Sequence, residues 1–157
     1  MSKDELTDFR YRGARACILL HEQMMRQFVE TWKQANAAGI SLPKSKSPSY
    51  ESLHTLLHHV VDLAVKYMVW ICEKFELPDP GFQPVPEKDR LEPEVDSYVE
   101  HMLQQWRKPL AAVPGRQFYQ PGYPAPWGTD YCIDAMLEHA VMHPMRHRFQ
   151  LLELMEK

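Results

Sequence analysis

Four long segments of the sequence carry apolar side chains at the spacing of an amphipathic helix, and this pattern limits the chain to a helical fold. They span residues 8–36, 49–76, 93–110 and about 129–157. A helix repeats every 3.6 residues, whereas a half-buried strand needs strict alternation, which no segment shows. We therefore predict an all-α fold, a four-helix bundle that forms one domain over residues 1–157.

Proline, glycine and capping residues indicate where these helices begin and end. Gly39 and Pro43 end the first helix, and Ser49 is expected to cap the second. Pro93 suits the first position of the third helix. The connection at 77–93 holds five prolines and is long enough to cross one end of the bundle, which favours an up-down-down-up order.

Composition and charge exclude several classes of function. The net charge of −3 comes from interspersed acids and bases, so no basic stripe for nucleic acid is present. No uninterrupted apolar run approaches the roughly 18 residues of a membrane span, and the charged start shows no secretory leader. The three cysteines form no C-x-x-C pair, which favours free thiols in a reducing cytoplasm. We expect a cytoplasmic protein without membrane or nucleic-acid partners.

Histidines interrupt the apolar stripes of two predicted helices. On the last helix, His143 and His147 follow Met136 and Ala140 toward the core, while His139 drifts to the flank. On the second helix, His59 falls on the apolar stripe. His54 and His58 fall on another face of that helix, and His21 is a further inward position on the first helix.

The spacing of the inward histidines is typical of a metal site. His143 and His147, four residues apart, can present their ring nitrogens to one ion, and His59 from a facing helix would complete a three-nitrogen set. Such a set leaves coordination positions open, as catalytic sites do. The alternative is that these are ordinary hydrogen-bonded core histidines, but three unpaired imidazoles would be costly to bury. For His21 the alternatives are an outer partner of the site or a polar core residue.

Pro144 lies between the two histidines of the last helix. Its ring removes one backbone hydrogen bond and disfavours ideal helix at His143, so we expect a kink that turns both histidines toward a shared point. The alternative is that Pro144 is merely a tolerated kink on a partly exposed face.

These residues resemble the DinB superfamily of bacterial four-helix-bundle proteins, which includes the YfiT-type proteins. The family pattern on the last helix, two histidines four residues apart and often a glutamine, is matched by His143, His147 and Gln150. Its histidine on the second helix, often followed by an acidic residue, is matched by His59 and Asp62. Two residues depart from that pattern. Pro144 takes the place of an acidic or polar residue, and His58, next to His59, adds a second histidine on the second helix.

The resemblance implies a divalent metal, commonly nickel or zinc, bound by the three histidines of a homodimer. It also implies an unknown small-molecule substrate, with a low-molecular-weight thiol as one possibility. The first hypothesis is therefore a metal-dependent hydrolase or thiol-dependent transferase, with His139, Asp62 and Glu138 as possible bases or orienting groups. The loop at 114–129 would cover the site or form a dimer interface.

Two alternatives need no catalysis. The protein could be a metal-binding or stress-response dimer in which the metal controls stability or partner binding. It could also be an interaction bundle whose histidines bind no metal.

Overall fold

The fold of the protein is mostly helical, as the all-α prediction requires. The computed structural model describes residues 6–157. Residues 1–5 lie outside the described residues. They belong to the charged start of the sequence, which bears on the expected absence of a secretory leader. The helices are α1 (Arg12–Ala37), α2 (Leu53–Lys74), α3 (Leu91–Trp106), α4 (Arg116–Tyr119) and α5 (Ile133–Met155). A short 3-10 turn covers Pro48–Tyr50, and strands β1 (Tyr123–Pro124) and β2 (Asp130–Tyr131) pair antiparallel.

Ion pairs on the surface show that α1 and α3 run in opposite directions. Arg26 contacts Glu100 at 3.0 Å, and Lys33, further along α1, contacts Asp96 at 2.6 Å, earlier in α3. Inside, the guanidinium of Arg107 donates to the carboxylate of Glu22, with one Nη2 to Oε2 distance of 2.8 Å. Both of these side chains are buried, so each satisfies the charge of the other.

Contacts at both ends of α1 show that α1 and α5 run in the same direction. The hydroxyl of Tyr11 donates to Asp134 at 2.6 Å, near the start of both helices. Arg148 donates to the hydroxyl of Thr31 at 3.1 Å, near the other end. α1 and α5 therefore lie side by side over most of their length.

Two tryptophans join α2 to its neighbours. The indole of Trp32 in α1 donates to the carbonyl of Leu53, and the indole of Trp106 in α3 donates to the carbonyl of Ala64, at 2.6 and 2.9 Å. Both tryptophans are buried. Each indole N–H thereby finds a partner in the core, as a buried tryptophan needs.

The start of α2 differs from the prediction. Ser49 lies in the 3-10 turn, and Ser52 is the cap: its side chain accepts from the Thr55 amide at 3.1 Å, while the Thr55 hydroxyl accepts from the Ser52 amide at 2.8 Å. This reciprocal pair is a capping box closed by threonine. The prediction of Ser49 as the cap was wrong because Pro48 begins a 3-10 turn that precedes the helix.

The other helix starts also shift by a few residues. α3 begins at Leu91, two residues before Pro93, and α5 begins at Ile133, after the strand pair that contains Asp130. The segment between α3 and α5, expected to be a loop, contains α4 and both strands. These short elements bring aromatic side chains of that segment back against α5.

Helix α2 bears on the expectation that no segment could span a membrane. It is 22 residues long, and an 18-residue stretch of it has a mean hydropathy of 1.2, so by length and composition alone it could cross a membrane. Half of that stretch is buried inside the protein, and the core helix of a globular domain can meet the same criteria. The expectation rested on uninterrupted apolar runs and missed this helix, in which polar side chains are spread among apolar ones. The absence of a membrane partner stays a prediction.

Replacing Ser52 by alanine tests the observed cap of α2. We expect Ser52→Ala to lower the free energy of unfolding by about 1 kcal/mol, because the Thr55 amide loses its acceptor. Ser49→Ala is the matched control and should leave stability nearly unchanged. Urea denaturation of the unmodified protein and the two variants measures both effects. Equal losses of stability in the two variants would contradict Ser52 as the cap.

Candidate metal centre

Three imidazole rings meet between α2 and α5. The Nε2 atoms of His59 and His143 lie 3.1 Å apart, and those of His143 and His147 lie 3.3 Å apart. A possible ligand atom from each of the three rings lies within 4.8 Å of the others. These three histidines are therefore close enough to hold one metal ion.

The helix geometry explains why these rings converge. His143 and His147 stand one turn apart on α5, and both are buried. His59 reaches them from α2 and is half-buried. Of the two adjacent histidines on α2, the structure brings His59 into the group and leaves His58 beside it.

A hydrogen bond from Gln150 orients the ring of His147. Their Nδ1 and Oε1 atoms lie 3.0 Å apart, and the carboxamide oxygen can only accept, so Nδ1 carries the proton. The Nε2 atom of His147 is then left with its lone pair, which faces His143. An outer acceptor of this kind is the usual partner of a metal-binding histidine.

Burial keeps the three imidazoles neutral at pH 7. It lowers the pKa of His143 to about 2, with smaller contributions from His147 and His59. Burial also lowers the pKa of His147 to about 4, against an opposing contribution from Gln150, and lowers the pKa of His59. A histidine must be neutral to bind a metal, so the local environment prepares all three for that role.

The hydrogen bonding of the group fits a cation better than a closed network. Neutral imidazoles can share protons pairwise, but among the described residues the buried Nδ1 of His143 has no hydrogen-bond partner. If Nδ1 of His143 keeps the proton, its Nε2 lone pair faces the Nε2 lone pair of His147 at 3.3 Å, and these two lone pairs repel. A divalent ion would turn this repulsion into attraction, and zinc, nickel, copper and iron all accept imidazole nitrogen.

Two tyrosine rings border the histidines. Tyr50 contacts His59 and His147, with centroid distances of 5.7 and 5.5 Å. Tyr67 contacts His143 from the other side at 5.8 Å. Neither tyrosine was predicted from the sequence to lie at the site. Tyr67 lies on the stripe of α2, but Tyr50 lies in a turn, where no periodic pattern could indicate its direction.

His139, expected as a neighbour or helper, lies outside the three-histidine group. Its ring stacks on Trp127 at 5.0 Å and meets the edges of Tyr67 and Tyr131 at 5.5 and 5.6 Å. Trp127 comes from the 114–129 segment, so that segment covers His139. Burial lowers the pKa of His139, with Arg146 adding to the effect.

Asp62, a second candidate helper, lines a cavity together with His59. It pairs with Lys66 at 2.6 Å, and both line this cavity of about 310 Å³ together with His58 and His59. The cavity gives solvent access to one edge of the group. Glu138 is exposed on α5, as expected for a solvated side chain.

Two further histidines have other surroundings. His21 is fully buried and stacks on Trp106 at 3.8 Å, so of its two alternatives the structure shows a core residue. Within the described part of the chain, neither of its nitrogens has a hydrogen-bond partner. His54 pairs with Glu92 at 2.7 Å on the surface.

Pro144 is buried inside α5, which is helical from Ile133 to Met155 without interruption. The alternative of a partly exposed proline was therefore wrong. The expected kink stays a prediction.

Comparisons with known proteins give this chain no relatives. No family model matches it, and neither the curated proteins nor the solved structures contain a match. Membership of the DinB superfamily therefore stays a prediction based on His59, His143, His147 and Gln150.

Replacing His21 by leucine tests how burial of an unpaired imidazole affects acid stability. Burial lowers the pKa of His21 from 6.5 to about 3, so the unfolded chain binds a proton that the folded chain does not. His21 therefore makes stability fall as the pH drops from about 6.5 toward 3, by up to about 1.4 kcal/mol per pH unit.

We expect His21→Leu to be as stable as the unmodified protein at pH 7.5 or more so, and to lose less stability at pH 5. Urea denaturation of the chelator-treated proteins at both pH values gives the comparison. His54→Gln, a change on the surface, is the control. An equal acid loss in His21→Leu and the unmodified protein would show that His21 is protonated or hydrated in the folded state.

Proposed function

We propose that this protein is a DinB-type, metal-dependent enzyme in which His59, His143 and His147 bind one divalent ion. The observation that carries the proposal is the convergence of three Nε2 atoms from two helices, with neighbouring distances of 3.1 and 3.3 Å. Nickel or zinc is the proposed ion. The proposed reaction is hydrolysis, or transfer that uses a low-molecular-weight thiol.

The arrangement of the helices supports a DinB-type bundle. The contacts show that α1 and α3 run in opposite directions and that α1 and α5 run in the same direction. His59 meets His143, and Tyr67, later in α2, meets the earlier His139, so α2 and α5 run in opposite directions. These directions support the proposed up-down-down-up order.

Access to the group supports an enzyme over a purely structural metal site. Structural sites surround the ion with four protein ligands, whereas catalytic sites leave a position open. Among the described residues only three side chains form the group, and His59 borders a cavity. A bound metal would supply Lewis-acid activation of the substrate.

The residues around the group would carry the remaining steps. Gln150 holds the His147 ring in the orientation that the ion needs. Asp62 shares a cavity with His59 and is the proposed base, because its carboxylate can accept a proton from a water or thiol in that cavity. Lys66 forms a salt bridge with Asp62 and holds this carboxylate in place. His139, beneath Trp127, is less accessible for this role.

Metal loading of single variants tests the proposal. The unmodified protein, dialysed against nickel or zinc, should retain close to one ion per chain. His59→Ala, His143→Ala and His147→Ala should each bind at least about 100-fold more weakly, and Gln150→Leu about 10- to 100-fold more weakly. Elemental analysis and metal titration measure these changes.

His58→Ala is the matched control, because His58 is adjacent to His59 and outside the group. It should retain the metal. Metal should also raise the Tm of the unmodified protein and of His58→Ala, while leaving His143→Ala unchanged. Retention of metal by all three histidine variants would refute the site. Ester hydrolysis or thiol transfer at the same rate by loaded protein and His143→Ala would refute the enzyme.

A further inference from the structure

A second cavity shares no lining residue with the one that Asp62 lines. It has a volume of about 390 Å³ and is bordered by the segment after α1 and by the last turns of α5. Its apolar wall is formed by four leucines, Leu42, Leu56, Leu151 and Leu154. This volume falls within the usual range of small-ligand pockets.

Two residues that line this cavity also touch the histidines. Tyr50 packs against the rings of His59 and His147, and Gln150 bonds to His147. Leu151 follows directly on α5. A ligand in this cavity would therefore end beside the proposed metal centre.

The outer end of the cavity carries mostly positive charge. Lys44 and Lys157 line it, together with the single carboxylate of Glu153. Within residues 6–157, neither lysine forms a salt bridge. An apolar wall with two such cations at its mouth is complementary to a molecule with an apolar body and an anionic end.

We propose that this cavity binds a small amphipathic anion that carries its reacting group, such as an ester, at the end opposite the charge, as the substrate class of the histidine site. Plain alkyl carboxylates are unreactive analogues of this class and serve as binding probes. The alkyl chain lies on the leucine wall with the anionic group at Lys44 and Lys157. The opposite end reaches Tyr50 and Gln150. Only the assignment of the ligand as substrate rests on the proposed function, since binding itself needs no metal.

The length of the ligand gives the first test. Linear alkyl carboxylates from pentanoate to decanoate are titrated into the unmodified protein by calorimetry. Affinity should rise about two- to fourfold with each methylene until the chain fills the cavity, and then level off. Alkyltrimethylammonium ions of the same lengths should bind at least about threefold more weakly, because their charge meets the lysines. No binding, or equal binding of the cations, would overturn the proposal.

Variants at the cavity wall give the second test. Leu154→Asn should weaken octanoate binding by at least about tenfold, since it removes part of the apolar wall. Leu152→Asn is the matched control, a half-buried leucine on the same helix that does not line the cavity. Lys44→Glu should weaken binding about three- to tenfold, whereas Lys46→Glu, exposed and outside the cavity, should not. Equal losses in each test variant and its control would place the ligand elsewhere.

The same titration in His59→Ala separates this inference from the proposed function. Octanoate should bind His59→Ala as it binds the unmodified protein, even if metal binding is lost. Octanoate binding without any metal binding by the unmodified protein would leave the cavity assigned and refute the metal enzyme. Metal binding without octanoate binding would refute the cavity assignment alone.

Discussion

The interaction on which the site depends is the meeting of three imidazole nitrogens in the core between α2 and α5. Polar atoms in such a place must be satisfied, because each unsatisfied nitrogen costs free energy that the surrounding apolar packing has to offset. Gln150 satisfies the outer nitrogen of His147. Among the described residues, the Nε2 atom of His143 lies 3.1 and 3.3 Å from those of His59 and His147, and an ion between the three would satisfy all of them.

The histidine core sets requirements for its surroundings. Burial lowers the pKa values of His143 and His147, so both imidazoles are neutral at pH 7, as metal binding requires. Tyr50 and Tyr67 pack against the rings and limit their rotation. His21 is also buried, but its ring is not part of the three-histidine group. It stacks on Trp106 and serves as core packing.

Much of the fold and of the histidine group could be predicted from periodicity. The stripe of α2 selected His59 over His58, and the stripe of α5 selected His143 and His147, because core-facing positions recur every three or four residues. Periodicity could not select Ser52 over Ser49 as the cap, since that depends on a turn that precedes the helix. It also could not indicate that Trp127 returns to cover His139, because the irregular segment between α3 and α5 has no repeating pattern.

The central claim is that His59, His143 and His147 bind one ion together, and X-ray absorption spectroscopy of the zinc-loaded protein tests it most directly. The account predicts a zinc shell with nitrogen at about 2.0–2.1 Å and the outer-shell scattering of three imidazoles. The His143→Ala protein should show fewer imidazoles or no ordered shell. A sulfur shell at about 2.3 Å, or an imidazole count unchanged in His143→Ala, would contradict the account.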